Sequence, residues 1–164
     1  MTLPKPDIAY IPCNQEIVEA ILEFAQINSE DVIYDLGCGD GRILITAAKK
    51  YGTRGVGIDI DPKLVEQAKQ KAIKNRVDKQ LEIYLQNLFI SNFADADVIF
   101  IYLLPHLNLR LRPQLWKQLK PGTRIISRDF DMGDWKPLQQ LTLTVEEEEE
   151  QEEVNLYYWE IGRR

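Results

Sequence analysis

Residues 32–42 constrain this chain more than any other stretch, because an apolar run passes directly into a loop with glycine at alternate positions. Residues 32–34 are β-forming, and residues 43–51 have the composition of a helix that Gly52 ends. The loop therefore joins a strand to a helix. Without Cβ atoms, its glycines permit a sharp turn and let a ligand approach the backbone amides at the start of the helix. These glycines are Gly37, Gly39 and Gly41.

A second signal follows the predicted helix at the distance expected for a nucleotide-binding unit. Residues 53–59 are typical of a second strand, and this strand ends in an acid, Asp59. A βαβ unit with an acid at this point binds the ribose of an adenosine cofactor through its hydroxyl groups. Part of the pattern also fits two alternatives. One is a glycine-rich turn in an unrelated α/β protein with Asp59 as a helix cap, and the other is a NAD-type Rossmann domain.

The chemistry of the loop indicates which adenosine cofactor binds. A pyrophosphate cofactor is typically bound by G-x-G-x-x-G, whereas this loop has the spacing G-x-G-x-G, with Asp35 before it and Asp40 within it. S-adenosylmethionine has no phosphate, and its sulfonium and amino groups are cationic, so nearby carboxylates attract it. Charge and spacing therefore predict S-adenosylmethionine as the cofactor. Cys38 is interpreted as a small residue between glycines, because no histidine lies near it in sequence.

Residues 35–42 together with residues 57–59 resemble the class I S-adenosylmethionine-dependent methyltransferases. In that class the residue after the third strand is often an acid that binds the adenine amino group. Asn87 stands there in this chain, and its amide can pair with the adenine edge, although a loop-forming asparagine is the alternative. The resemblance implies these cofactor-binding residues: Asp35, Gly37, Cys38, Gly39, Gly41, Asp59, Ile60, Asn87, Leu88 and Tyr102.

Length and composition predict a single domain over residues 1–164. Its 45% apolar content is typical of a globular chain. Cys13 and Cys38 form no disulfide framework, and residues 1–6 lack the features of a signal peptide, so we expect a cytoplasmic protein. The longest apolar run, residues 98–105, is too short to span a bilayer and suits a buried strand.

The net charge of −6 is unevenly distributed, because seven of the 26 acidic residues fall within residues 146–153. The rest of the chain is nearly neutral and has no basic stripe with interleaved aromatic residues, which disfavours a nucleic-acid partner. Residues 102–105, Tyr-Leu-Leu-Pro, also differ from the Asn-Pro-Pro-Tyr expected of DNA-adenine methyltransferases. We interpret residues 146–153 as the solvated turn of a hairpin, with recruitment of a basic substrate as the alternative.

The predicted fold is α/β: a Rossmann-like, seven-stranded, mostly parallel sheet with helices on both faces and a C-terminal antiparallel hairpin. Residues 1–13 are expected to form an extended arm before a helix capped by Asn14, and Asp61 begins another helix. The apolar run at residues 98–105 is expected to supply a central strand beside the first. Whether Pro113 breaks the helix that follows is left open.

A narrower resemblance comes from residues 10–12, 102–105, 111–113, 120–124 and 130–135. Together they are similar to a compact group of methyltransferases that includes the lysine methyltransferases of the mitochondrial ATP synthase c-subunit. This resemblance implies a protein substrate with an accessible lysine. A small-molecule acceptor and a non-catalytic S-adenosylmethionine-binding module are the alternatives. Cys13 and Asn14 stand where the group would be expected to have threonine and proline.

Four aromatic residues are predicted at the strand ends, where they would form a slot for the acceptor lysine: Tyr10, Tyr102, Phe130 and Trp135. Aromatic rings hold an alkyl chain and its methylated ammonium through cation–π attraction. Core packing is the alternative for each of them. Methyl transfer requires no dedicated base and no metal. His106 is therefore interpreted as an exposed residue at a helix start, with a role as base as the alternative.

Overall fold

The computed structural model describes residues 14–147 and 150–163. Its centre is one seven-stranded sheet in the order β3-β2-β1-β4-β5-β7-β6. Strands β1 to β5 are parallel, and β7 pairs antiparallel with both β5 and β6. The strands are β1 (Val32–Leu36), β2 (Arg54–Asp59), β3 (Leu81–Leu85), β4 (Val98–Ile101), β5 (Arg124–Arg128), β6 (Gln139–Glu147) and β7 (Glu150–Glu160). The predicted fold class is confirmed.

Helices cover both faces of this sheet, and alternate strand residues face them. The helices are α1 (Gln15–Phe24), α2 (Arg42–Tyr51), α3 (Pro62–Lys74) and α4 (Pro105–Gln118), with a short 3₁₀-helix at Leu88–Ile90. Along β4, Val98 and Phe100 belong to the core cluster shared with α1, α2 and α3. Ile99 and Ile101 belong to the cluster shared with α4. β4 is buried at every position, as its uninterrupted apolar sequence predicts.

The helix ends follow from capping residues that are visible in the sequence. The Asn14 side chain accepts a hydrogen bond from the N–H of Ile17 at 2.9 Å, and the Asp61 side chain accepts one from the N–H of Lys63 at 2.9 Å. Gly52 ends α2 in the left-handed conformation with φ 74°. Each cap satisfies a backbone group that has no partner within its helix, which fixes where α1, α2 and α3 begin or end.

Pro113 does not break helix α4, which is continuous from Pro105 to Gln118. Proline lacks the N–H that would donate to the carbonyl four residues earlier, at Leu109. Both residues are exposed. The carbonyl that loses its partner can therefore bond to water, and the helix tolerates the proline.

The C-terminal hairpin corrects one sequence prediction. Residues 146–153 were expected to be a solvated turn, but Glu146 pairs with Gln151, and the β6–β7 ladder continues to Glu147 and Glu150. Backbone hydrogen bonds of a ladder form whatever the side-chain charge, and exposed glutamates on a strand stay hydrated. The residues between the two strands, 148 and 149, lie outside the described residues, as do the N-terminal arm and Tyr10 and Cys13 within it.

Arg124 fastens α1 to the amino end of β5. Its guanidinium pairs with Asp31 at 2.5 Å and donates to the carbonyls of Ala25 and Gln26, each at 2.8 Å. Asp31 is only 6% exposed, so little solvent screens this pair. These contacts hold the C-terminal end of α1 beside the amino end of β5.

Candidate active site

The carboxyl ends of the parallel strands meet along one edge of the sheet and bring the predicted cofactor residues together. Leu36 is in register with Ile58 of β2 and with Ile101 of β4, and Asp59 with Leu85 of β3. Ligands of open α/β sheets bind at this edge, where the strand order reverses on either side of β1. Residues that follow β1, β2, β3 and β4 therefore lie along this edge.

The glycine loop is folded tightly over the end of β2. The N–H groups of Gly37 and Cys38 both donate to the carbonyl of Ile58, at 2.7 and 3.0 Å. Gly41 begins α2 with φ 81°, and a Cβ atom there would lie 3.1 Å from the Cβ of Ala68 in α3. Glycine at 41 is thus required both by the backbone conformation and by the close approach of α3.

Asp59 holds this loop from the adjacent strand. Its Oδ2 accepts a hydrogen bond from the N–H of Gly39, and its Oδ1 accepts one from the N–H of Asp61, both at 2.9 Å. A carboxylate oxygen can accept more than one hydrogen bond, so both oxygens retain capacity for ribose hydroxyls. Asp59 therefore orients the loop that lies beside the predicted ribose position.

Asp35 and Asp40 differ sharply in their electrostatic surroundings. Asp40 is 3% exposed and pairs with Arg42 at 2.8 Å and with Lys71. Asp35 is 2% exposed, and within residues 14–147 and 150–163 no lysine or arginine forms an ion pair with it. Burial, together with the charges of Asp59 and Asp40, raises the pKa of Asp35 from its ordinary value of 3.8 to about 8.

Both acids were expected to attract a cationic cofactor, and the structure corrects this for one of them. Asp40 is neutralised by the protein itself. Asp35 is instead a buried carboxyl group without a cation of its own among the described residues, which fits a ligand that carries positive charge. The sulfonium and amino groups of S-adenosylmethionine have that charge, so of the two acids Asp35 is the one suited to attract it, while Asp59 keeps its predicted role at the ribose.

Cys38 has the packing role that its position between glycines predicts. It is 6% exposed, and a Cβ atom at Gly57 would lie 2.8 Å from its sulfur. Burial is the main cause that raises the pKa of the Cys38 thiol well above its ordinary value. A neutral, buried thiol is a poor nucleophile, whereas its size fills the space above β2.

Asn87 forms the turn after β3. Its Oδ1 accepts a hydrogen bond from the N–H of Phe89 at 3.0 Å and caps the 3₁₀-helix that contains Leu88. The structure thus supports the loop-forming interpretation of Asn87. Its half-buried position at the sheet edge also places it beside the cofactor space, and pairing with adenine remains a prediction for Asn87 and Leu88. Ile60 directly follows β2 and is half-buried at the same edge.

Tyr102 and Phe130, two of the four predicted slot residues, are in contact. Their rings stack with centroids 6.2 Å apart and planes inclined by 20°, at the ends of β4 and β5. The Arg128 guanidinium carbon lies 4.6 Å from the centre of the Tyr102 ring, and Arg128 pairs with Glu152 at 2.7 Å. A stacked aromatic pair with a buried cation therefore lies where the sequence predicts the acceptor.

Trp135 lies elsewhere, and this corrects the predicted slot. Its ring packs against Trp116 of α4 and Trp159 of β7, with centroids 5.3 and 5.7 Å away. Its carbonyl accepts a hydrogen bond from the Trp159 indole at 2.8 Å. These contacts belong to the α4 side of the core, whereas Tyr102 packs against the other cluster. The core-packing alternative is correct for Trp135.

The remaining candidates are readily placed. His106 is exposed in the first turn of α4, as predicted. Across the described part of the chain, no three His, Cys, Asp or Glu side chains are grouped so that they could hold a metal ion. No helix within residues 14–147 and 150–163 has the length and apolar character needed to cross a membrane.

Sequence reasoning missed two polar residues near the Tyr102–Phe130 pair, namely Arg128 and Asn108. Arg128 is 1% exposed although it ends a strand, and Asn108 is fully buried in α4. A signal for Asn108 was present in the sequence. It lies on the same helical face as Leu111 and Leu115, so a polar residue interrupts an otherwise apolar stripe.

This sheet order, the glycine loop after β1 and the acid that ends β2 define the chain as a class I S-adenosylmethionine-dependent methyltransferase. Its cofactor is S-adenosylmethionine. Comparison with protein families places it more narrowly. The model of the ANTKMT methyltransferase domain matches residues 35–139, and the chain belongs to that family.

Individual relatives match a longer part of this chain than the family model does. A protein-lysine N-methyltransferase of Saccharolobus islandicus (strain REY15A) is 39% identical, with 80% of this chain and 83% of the relative covered. The human lysine N-methyltransferase of the ATP synthase c-subunit is 28% identical, and the match covers 82% of this chain but only 57% of that protein. The crystal structure of an RNA methyltransferase from Salinibacter ruber with S-adenosyl-L-homocysteine is 43% identical. It superposes with a TM-score of 0.83 and covers 94% of this chain and 95% of that one.

Proposed function

We propose that this methyltransferase transfers the methyl group to the side-chain amine of a lysine in a protein. The observation that carries the proposal is the chemistry of the acceptor edge. Asp129 and Asp131 flank Phe130 in the sequence. Arg128 forms ion pairs with both Asp129 and Glu152, so three carboxylates share one cation, and Asp131 has no ion-pair partner among the described residues. Carboxylates attract a cationic side chain and repel a phosphodiester backbone. The 39% identical relative named as a protein-lysine N-methyltransferase supports the same acceptor.

The aromatic pair gives the acceptor chain a surface to lie on. Arg128 already lies over the Tyr102 ring. A second cation at that ring would face this positive charge, so we assign Tyr102 to the wall of the slot. The described residues place no cation over the Phe130 ring. In this proposal Phe130 contacts the lysine methylenes and the developing methylated ammonium.

Loss of the lysine proton is the main energetic barrier before transfer. An ordinary lysine with a pKa near 10.4 requires roughly 4 to 5 kcal/mol to become neutral at pH 7. Burial against Phe130 lowers the pKa of an amine, because desolvation disfavours the charged form. When bound, S-adenosylmethionine supplies a methyl carbon that its sulfonium already activates. The protein aligns the amine and excludes water, and no dedicated base is required.

RNA is the second candidate acceptor, because a crystal structure 43% identical to this chain is described as that of an RNA methyltransferase. The carboxylates at the acceptor edge argue against it. A small-molecule acceptor and a cofactor-binding module without catalysis are further alternatives. We also propose that residues 1–164 form a single domain, because one seven-stranded sheet runs through the described residues. The cytoplasmic location expected from the sequence is likewise part of this proposal.

The deciding experiment incubates the protein with methyl-labelled S-adenosylmethionine and an extract of its own organism. The extract is separated into protein, RNA and small molecules, and mass spectrometry locates the label. Label on lysine is the expected result. Label confined to RNA or to small molecules would refute the lysine acceptor, and cofactor binding without any label would favour the binding module.

Phe130→Ala then tests the slot, with Trp135→Ala as its matched control. Both remove a half-buried aromatic ring from the segment after β5, but only Phe130 stacks on Tyr102. We expect Phe130→Ala to slow transfer at least tenfold with unchanged binding of S-adenosylhomocysteine. Trp135→Ala should lower stability while folded protein keeps its transfer rate. Equal transfer rates in the two variants would exclude Phe130 from the slot.

A further inference from the structure

A tight turn after β5 presents the Phe130 ring to the acceptor edge. Asp129, at its centre, has φ 64°, and the N–H of Phe130 donates to the carbonyl of Arg128 at 2.8 Å. A left-handed backbone is unfavourable for residues other than glycine, and a three-residue turn of this kind is strained. Contacts from outside the turn must therefore stabilise it.

Strand β7 supplies the contacts on one side of the turn. The N–H of Asp129 donates to the carbonyl of Asn155 at 2.7 Å. In return, the N–H of Asn155 donates to Oδ1 of Asp129 at 3.0 Å. These two bonds fix Asp129 but leave the position of Phe130 undetermined.

Asn108 supplies the contacts on the other side, from the first turn of α4. Its Nδ2 lies 3.3 Å from Oγ of Ser127, 3.2 Å from the carbonyl oxygen of Phe130 and 3.1 Å from that of Asp131. The Ser127 hydroxyl also donates to the Phe130 carbonyl, at 2.6 Å. One buried amide thus draws the Phe130 backbone toward α4, while the Phe130 ring stacks on Tyr102.

Packing alone does not account for asparagine at this position. Asn108 is 0% exposed, and its Oδ1 has no hydrogen-bond partner among the described residues. An unpaired buried oxygen is unfavourable, and leucine would fill the same space without it. The neighbouring buried positions of α4 are leucines at 107, 111 and 115. What leucine cannot provide is the amide hydrogens directed at the turn.

We propose that Asn108 is a positioning residue for methyl transfer, which acts by holding the Phe130 turn in its strained conformation. This inference rests on the proposed acceptor slot of Tyr102 and Phe130. It assigns no contact with the acceptor to Asn108 itself. The consequence is that losing the Asn108 amide should impair transfer through Phe130 and leave cofactor binding intact.

The test compares Asn108→Leu with Gln118→Leu. Gln118 is a matched control, because its amide also fastens a loop to α4: it accepts from the N–H of Phe93 at 2.8 Å and donates to the carbonyl of Ser91 at 3.1 Å. The assay is the initial rate of label transfer to the fraction of the organism's extract that the wild-type protein labels. When the concentration of that fraction limits the reaction, we expect Asn108→Leu to lower the initial rate of transfer at least tenfold. Its affinity for S-adenosylhomocysteine should stay within twofold of wild type. Gln118→Leu should change neither.

Two further measurements separate positioning from simple structural damage. In a Phe130→Ala background, Asn108→Leu should cause no additional loss, because both substitutions disable the same contact. Hydrogen exchange of residues 127–131 should rise in Asn108→Leu and remain at the wild-type level in Gln118→Leu. If Asn108→Leu fails to fold, Ser127→Ala removes the hydroxyl bond to Phe130 and should show the same pattern at smaller size.

The inference is overturned by wild-type transfer in folded Asn108→Leu, by additive losses in the double variant, or by unchanged exchange of residues 127–131. These outcomes are distinct from a failure of the lysine proposal. Label found on RNA or small molecules would refute lysine, yet the Asn108 comparison would still be made on that labelled fraction. The exchange measurement needs no acceptor at all.

Discussion

The buried carboxyl group of Asp35 makes the stability of the cofactor-free protein fall as pH rises, whereas most acidic groups of folded proteins make stability rise with pH. Burial near Asp59 and Asp40 raises the pKa of Asp35 from its ordinary value of 3.8 to about 8. Folded protein therefore retains a proton on Asp35 that unfolded protein has already lost. The free energy of unfolding contributed by this group falls as pH rises from 3.8 and levels off above 8.

The size of this effect follows from the two pKa values. Between pH 6 and pH 8 the unfolded chain binds no proton at Asp35, whereas the folded protein stays mostly protonated until the end of that interval. Integration over the interval gives a loss of about 2 kcal/mol in the free energy of unfolding. Asp35→Asn has no ionisable group at this position, so the stability of the variant should rise relative to that of wild type by about 2 kcal/mol between pH 6 and pH 8.

Urea unfolding of both proteins without cofactor, at pH 6, 7 and 8, measures this difference. All other titrating groups are common to both, so they cancel in the comparison. The same substitution should weaken the binding of S-adenosylmethionine. Loss of a charge-assisted hydrogen bond is expected to weaken it by about 1.5 to 3 kcal/mol in Asp35→Asn, measured by calorimetry. Parallel pH profiles of stability, or unchanged cofactor affinity in the variant, would refute the reasoning.

Three further predictions concern the residue that holds the glycine loop, the packing of that loop on β2, and the ion pair between Arg124 and Asp31. Asp59→Ala should weaken cofactor binding by about 2 to 3 kcal/mol in a calorimetric titration, because Asp59 serves both the ribose and the Gly39 amide; Asp61→Ala, which removes only a helix cap, should leave affinity unchanged. Gly57→Ala should destabilise the fold by about 1 to 3 kcal/mol in urea unfolding, since its Cβ would lie 2.8 Å from the Cys38 sulfur. Adding Cys38→Ala should recover part of that loss, and no recovery would contradict the packing argument. Arg124→Ala should lower stability by about 3 kcal/mol, because it leaves a buried carboxylate unpaired; a loss below about 1 kcal/mol would show that solvent reaches this pair.

The sequence predicted much of the fold, because the governing interactions are local. Asn14 and Asp61 cap helices with side chains that reach only two or three residues along the chain. The alternation of apolar residues that marks a strand is likewise read within a few positions. The turn predicted over residues 146–153 was too long, because it was inferred from the run of acidic side chains. Charge is a property of side chains, whereas the β6–β7 ladder is formed by backbone groups.

The candidate site was only partly predictable. The glycine loop and Asp59 were evident in the sequence, since their spacing reflects one βαβ unit. The predicted grouping of four aromatic residues was not accurate. Phe130 and Trp135 are five positions apart, yet one stacks on Tyr102 and the other packs between Trp116 and Trp159. A turn between them directs the two rings into different core clusters, and no periodicity in the sequence reveals that turn.

The sequence by itself determined the fold class, the helix ends and the class of cofactor, because each depends on residues close together in the chain. Tertiary structure alone decided which carboxylates remain for that cofactor. Asp40 pairs with Arg42, two positions along the chain, and also with Lys71, 31 positions away, while Asp35 is buried without a cationic partner among the described residues. Tertiary structure also directed the Asn108 amide at a turn more than 20 residues away. Charge neutralisation and burial depend on distances through space, which sequence separation does not fix.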